Sequence, residues 1–67
     1  MIRYAQYQKG DHVYAVTYRY SKDGSYPLSV HGKVISDSGD RELTIEPDAN
    51  SNFSDEKEFI VYKDRMI

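Results

Sequence analysis

Apolar and polar positions alternate or form short clusters along this chain, without the three- and four-residue spacing of an amphipathic helix. Four segments follow a strand pattern, at residues 12–20, about 28–36, 41–46 and 59–62. Tyrosine and β-branched residues are frequent in them, as is typical of strands. The pattern predicts an all-β domain of short antiparallel strands.

The segments between the predicted strands are rich in turn-forming residues. Gly10 and Asp11 precede the first strand. The segment 21–27 contains Asp-Gly and Pro, which predicts a long and partly ordered loop. We expect a compact turn at 37–40 and a second, polar loop at 47–58.

A trial register follows if the loop after the first strand is symmetric. It pairs Tyr20 with Val30 and places Tyr18 opposite Gly32. A glycine at that position would let the strand bend or would leave room for the tyrosine ring. The apolar face then consists of Val16, Tyr18, Tyr20, Val30, Val34, Leu43 and Ile45. The opposite, solvated face consists of Thr17, Arg19, His31, Lys33, Glu42, Thr44 and Glu46.

The length of the chain, 67 residues, predicts one small domain over 1–67 with little room for a deep catalytic cavity. Because the chain contains no cysteine, disulfides and cysteine-ligated zinc are excluded. The first residues lack the apolar core of a signal peptide, and no apolar run approaches the roughly 20 residues that span a bilayer. We therefore expect a soluble cytoplasmic protein with no membrane partner.

Charge is unevenly distributed along the chain, although the formal net charge is −2. Residues 1–35 carry a net charge of +3, and residues 36–67 carry −5. Either the fold has a basic and an acidic face, or the two halves attract each other, and the second interpretation is favoured.

Motifs for catalysis or cofactor binding are missing from the sequence, which predicts a protein that is not an enzyme and has no cofactor. His12 and His31 are candidate metal ligands, but the trial register places His31 opposite Arg19, away from His12 at the strand start. We interpret them as two surface histidines and expect no metal site. The acidic segment 55–58, with Asp48 upstream, lacks the spacing of a calcium loop and is interpreted as a solvated loop.

Three short motifs, Gly-Asp-x-Val at 10–13, Gly-Lys-Val-Ile at 32–35 and Leu-x-Ile at 43–45, resemble the pattern of a Src-homology-3-like barrel. Tudor and KOW domains are similar, and so is a family of small Bacillus-prophage proteins. The resemblance covers nearly the whole chain. It implies a small barrel of about five short antiparallel strands in a bacterial host cell or phage setting. The chain lacks the Ala-Leu-Tyr-Asp-Tyr run of peptide-binding members, so no binding residues are carried over.

Seven tyrosines in 67 residues are the most informative excess in the composition. Tyrosine combines a large apolar ring with a polar rim and is common in recognition surfaces. Tyr14, Tyr18 and Tyr20 are expected to pack in the core, whereas the tyrosines at 4, 7, 26 and 62 are expected to expose ring surface. In barrels of this shape the first long loop flanks a binding groove. The candidate contact residues are Tyr20, Asp23, Tyr26, Pro27 and Tyr62.

These features predict a non-catalytic binding module, most simply a protein or peptide adaptor in which Asp23 or the acidic 48–58 segment selects a basic ligand. One alternative is nucleic-acid binding through lysines and arginines interleaved with tyrosines, although the net charge of −2 opposes it. Another is a structural role, as in a self-assembling phage component, in which the edge strand 59–62 pairs with a copy of itself or with a larger assembly. A monomer or weak homo-oligomer is expected.

Overall fold

Four antiparallel strands, each hydrogen-bonded to the next in sequence, form the sheet in the computed structural model, which describes residues 4–67. The strands are β1 (His12–Ser21), β2 (Gly24–Ser36), β3 (Glu42–Pro47) and β4 (Phe59–Tyr62), and a short 3-10 helix follows at Lys63–Arg65. This confirms the predicted all-β class and the four strand segments. The sheet is not closed.

The two edge strands approach each other near the C-terminal end of the described chain. Met66 forms one antiparallel bridge with Ala15. The N–H of Ile67 donates a hydrogen bond to the carbonyl oxygen of Tyr14 at 3.0 Å. The residues after the 3-10 helix therefore lie against the outer edge of β1.

The prediction of a long loop at 21–27 is wrong, because a two-residue turn joins β1 to β2. Ser21 pairs directly with Gly24, whose φ of +117° suits a residue without a side chain. The Ser21 hydroxyl donates to the carbonyl oxygen of Gly24 at 3.1 Å and accepts from the N–H of Asp23 at 3.3 Å. Strand β2 consequently begins at Gly24 rather than near Leu28.

The tight turn also changes the register of the first hairpin. Tyr20 pairs with Ser25 instead of Val30, and the partner of Val30 is Ala15. The difference from the trial register is an odd number of residues, so every side chain of β1 changes face. The predicted inward positions of Val16, Tyr18 and Tyr20 are therefore wrong, and Thr17 and Arg19 lie on the inner face instead.

The predicted inner faces of the later strands are confirmed. The core consists of Val13, Ala15, Val30, Val34, Leu43, Ile45 and Val61, each at most 5% exposed. Phe53 and Phe59 flank it in a stacked pair with ring centres 4.6 Å apart. Lys33 and Glu46 lie on the solvated side of the sheet, as predicted, but the trial register was wrong in pairing Glu46 with His31, because the partner of Glu46 is Lys33.

Gly32 does not face Tyr18, as the trial register required. It lies between Val13 of β1 and Pro47 of β3. A Cβ atom added at Gly32 would lie 2.1 Å from the carbonyl oxygen of Glu46. The missing side chain therefore permits the close approach of β3 rather than accommodating an aromatic ring.

Candidate functional site

An exposed row of tyrosines follows the outer face of β1. Tyr14, Tyr18 and Tyr20 are 51%, 41% and 80% exposed. They share a face because alternate residues of a strand point to the same side of a sheet. The excess of tyrosine in this strand thus supplies accessible contact area, not the core packing expected from the sequence.

Two tyrosines and two arginines stack alternately where the 3-10 helix approaches this row. The guanidinium carbon of Arg65 lies 5.0 Å from the ring centre of Tyr18 and 5.7 Å from that of Tyr62. The guanidinium carbon of Arg41 lies 4.7 Å from the Tyr62 ring centre. We call Tyr18, Arg41, Tyr62 and Arg65 the tyrosine–arginine surface.

The chemistry of this surface suits an anionic group beside an apolar one. When a guanidinium lies over an aromatic ring, the flat face of the guanidinium contacts the ring, and the N–H donors at the edge of the guanidinium stay available to a ligand. Arg41 also forms an exposed ion pair with Asp64, with N–O separations of 3.3 Å, which leaves Arg65 as the more available cation. Tyrosine and arginine are also the residue types that most often dominate binding energy in protein interfaces.

The five predicted contact residues are distributed over both sides of the molecule. Tyr20 and Pro27 lie on the outer face of the first hairpin, and Tyr62 belongs to the tyrosine–arginine surface. Asp23 lies at the tip of the turn. Tyr26 is 43% exposed, but by strand alternation it faces the other side of the sheet. The structure therefore brings three of the five to the outer surface and separates Tyr26 from them.

A buried ion pair anchors the 3-10 helix that carries Arg65. The ammonium group of Lys63 donates to Asp37 Oδ1 at 2.7 Å, and the two side chains are 2% and 1% exposed. Asp37 also accepts hydrogen bonds from the N–H groups of Tyr7 and Gly39, both at 2.8 Å. The pair was not predictable from the sequence, because nothing in the local pattern distinguishes Lys63 from the exposed charges around it.

The ionisation of Asp37 is tied to folding. Desolvation by burial opposes the charged form, but the hydrogen bonds from Lys63, Tyr7 and Gly39 and the charge of Lys63 outweigh it. Together they lower the pKa of Asp37 from 3.8 to about 2. Because the pKa is lowered on folding, the resulting stability is present above pH 3.8 and is lost as the pH falls toward 2.

We expect the Asp37 carboxyl carbon to titrate with a midpoint of about 2 in an NMR experiment on the folded protein. The urea midpoint of unfolding should fall over the same interval, because protonation removes the charge that holds Lys63. A midpoint for Asp37 at its ordinary value of 3.8 would contradict the ion pair.

A second polar cluster lies at the other end of the tyrosine row. His12 Nε2 and His31 Nδ1 contact the same carboxylate oxygen, Asp48 Oδ2, at 2.5 and 2.6 Å. The hydrogen bonds from His12 and then His31 lower the pKa of Asp48 below its ordinary value, against a smaller effect of desolvation. The Tyr14 ring centre lies 5.1 Å from each imidazole centre. We call His12, His31 and Asp48 the histidine–aspartate cluster.

The sequence interpretation kept the two histidines apart, because its register paired His31 with Arg19. The partner of His31 is Tyr14, which places the ring centres of His12 and His31 5.8 Å apart. A register derived from a two-residue turn at Lys22 and Asp23 would have predicted this proximity.

A shallow pocket of about 200 Å³ is lined by Lys9, Gly10, Lys33, Val34, Ile35 and Glu46. Its volume lies below the roughly 300–1,000 Å³ typical of small-molecule sites. The pocket therefore favours recognition at a surface over enclosure of a small molecule.

No family model matches this chain, and neither curated proteins nor solved structures show a significant similarity to it. The fold and the surfaces define a small all-β domain with an exposed tyrosine–arginine surface. Among residues 4–67, no helix has the length and apolar character needed to cross a membrane.

Proposed function

We propose that this domain is a non-catalytic binding module that recognises an acidic segment of a partner protein through its tyrosine–arginine surface. The observation that supports it is the placement of Arg65 between the rings of Tyr18 and Tyr62, at 5.0 and 5.7 Å from their centres. The rings offer apolar contact, and the guanidinium offers paired donors that match a carboxylate.

The charge expected of the ligand differs from the sequence interpretation. That interpretation relied on Asp23 or the acidic 48–58 segment to select a basic ligand. On the outer surface, however, the side chains stacked on the tyrosine rings are arginines. Charge complementarity therefore favours an acidic partner segment.

Protein is favoured over nucleic acid as the partner. Domains that follow a phosphate backbone usually carry a run of cations, since each neutralised phosphate adds affinity. Here Asp64 pairs with Arg41, Glu42 lies opposite Tyr62 on β3, and the chain has a net charge of −2. Two arginines flanked by carboxylates suit a short acidic peptide better than a long polyanion.

We also propose that the fold is a small barrel of the Src-homology-3-like kind, with the residues after the 3-10 helix acting as a short fifth strand. The bridge between Ala15 and Met66 and the hydrogen bond from Ile67 to Tyr14 support this arrangement. Such closure would hold Arg65 against Tyr18, so the barrel and the tyrosine–arginine surface are parts of one proposal.

An NMR titration tests the function with three sets of probes: glutamate-rich peptides that contain leucine or proline, matched lysine-rich peptides, and single-stranded oligothymidylate. We expect the acidic peptides alone to shift the amide resonances of Tyr18, Tyr62 and Arg65. Replacing Arg65→Gln or Tyr62→Ala should weaken the binding by about thirtyfold or more, the loss typical of a dominant interface residue.

Tyr26→Ala is the matched control, because Tyr26 is similarly exposed but lies on the opposite face. It should leave the affinity for acidic peptides unchanged. Shifts produced by oligothymidylate and not by peptides would replace the proposal with nucleic-acid binding. Shifts confined to the Tyr26 face, or no shift with any probe, would refute recognition at the tyrosine–arginine surface.

A further inference from the structure

We propose that the histidine–aspartate cluster is a binding site for a divalent transition-metal ion of the zinc type. His12 comes from the start of β1, His31 from the middle of β2, and Asp48 from the loop after β3. One ligand atom from each lies within 4.8 Å of the other two. Three ligand residues so far apart in sequence are therefore presented to one point in space.

The backbone around the cluster holds its members in place. The Asp48 N–H donates to the carbonyl oxygen of His31 at 2.9 Å, and the His31 N–H donates to Ser51 Oγ at 2.9 Å. The residues after β3 therefore continue along the edge of β2 and fix Asp48 beside His31. The Tyr14 ring packs against both imidazoles. Little side-chain freedom remains to be lost when a metal binds.

The donor atoms indicate which metals fit. Imidazole nitrogen suits zinc, nickel, cobalt and copper, whereas magnesium and calcium prefer sites made of oxygen. Zinc binds nitrogen at about 2.0–2.1 Å and carboxylate oxygen at about 2.0–2.2 Å, so neighbouring ligand atoms of a tetrahedral site lie about 3.4 Å apart. In the cluster, His12 and His31 lie 2.5 and 2.6 Å from Asp48 Oδ2, and no separation exceeds 4.8 Å. Small side-chain rotations that widen the two short separations create the site.

The cluster is also accessible. The side chains of His12, His31 and Asp48 are 39%, 21% and 28% exposed, so an ion can enter from solvent. Three protein ligands leave a fourth tetrahedral position for water or for a donor from another molecule. The site would link β1, β2 and the loop after β3, and a bound ion should stabilise the fold.

The test is calorimetric titration of the tag-free full chain with Zn²⁺, and with Mg²⁺ for comparison. We expect one Zn²⁺ per chain, no measurable Mg²⁺ binding, and a rise in melting temperature that EDTA reverses. NMR resonances of the His12 and His31 rings should shift on Zn²⁺ addition. His12→Ala should weaken Zn²⁺ binding by at least about 100-fold, since the loss of an outer-shell partner alone costs 10–100-fold.

Two aspartate variants separate a metal site from a merely structural cluster. Asp48→Asn keeps a hydrogen-bond acceptor for the histidines but provides a poorer ligand, so it should fold and lose Zn²⁺ affinity. Asp23→Asn, at the tip of the first hairpin, should bind as the unaltered chain does. Absence of Zn²⁺ binding would show that the cluster is only a hydrogen-bonded support. Retention of binding in both His12→Ala and Asp48→Asn would place the ion elsewhere and also overturn the proposal.

Discussion

Replacing Lys63 with methionine should lower the free energy of unfolding by about 3 kcal/mol or more, because removing one partner leaves a buried charge without compensation. The Lys63 ammonium and the Asp37 carboxylate are 2.7 Å apart, and both side chains are almost fully buried. The remaining bonds to Asp37, from two backbone N–H groups, do not neutralise its charge. The loss should appear as a lower urea midpoint at neutral pH.

Lys57→Met is the matched control, since Lys57 is exposed in the loop before β4. Its replacement should lower the free energy of unfolding only slightly. The double variant Asp37→Asn with Lys63→Met should recover part of the lost stability, because it leaves no buried charge. If Lys63→Met were no more harmful than Lys57→Met, the pair would not anchor the 3-10 helix.

Gly32→Ala should destabilise the fold by about 3 kcal/mol, the upper range for overpacking a well-packed interior. The new Cβ would lie 2.1 Å from the carbonyl oxygen of Glu46 and 2.8 Å from the Cα of Pro47. Both are backbone atoms, so relief requires β2 and β3 to separate. Circular dichroism during urea unfolding measures the change.

Ser29→Ala is the control for this variant, because Ser29 is an exposed residue of the same strand. It should change stability by less than about 0.5 kcal/mol. If Gly32→Ala unfolded at the same urea concentration as Ser29→Ala, β3 would not approach β2 as closely as the structure requires.

Strand positions were predictable from the sequence because alternation and turn residues are local signals. Strand β4 was placed at its observed bounds, and the inner faces of β2 and β3 followed from the spacing of Val30, Val34, Leu43 and Ile45. In these strands the core-facing positions are apolar and the opposite positions are mostly polar, so the orientation of each strand is not ambiguous.

The orientation of β1 could not be derived in the same way. Its two faces are both apolar enough to be buried, with Val13 and Ala15 on one and tyrosines on the other. The register then depended on the length of the turn, and the proline at 27 suggested a loop. Pro27 is instead accommodated in a part of β2 that does not pair with β3.

Both candidate sites depend on that register. The tyrosine–arginine surface requires Tyr18 to face outward, and the histidine–aspartate cluster requires His31 to lie opposite Tyr14. A sequence pattern cannot show such non-local contacts, because they arise only when distant segments meet. Arg65 accordingly carried no signal of its own in the chain, and Asp48 was noticed only as part of an acidic segment, not as a partner of the two histidines.

The register of the first hairpin is therefore the most direct test of the account, and nuclear Overhauser effects between β1 and β2 measure it. The structure predicts contacts between Ala15 and Val30 and between Tyr18 and Pro27. Contacts between Tyr20 and Val30 would instead turn the tyrosines inward and contradict both proposed binding surfaces.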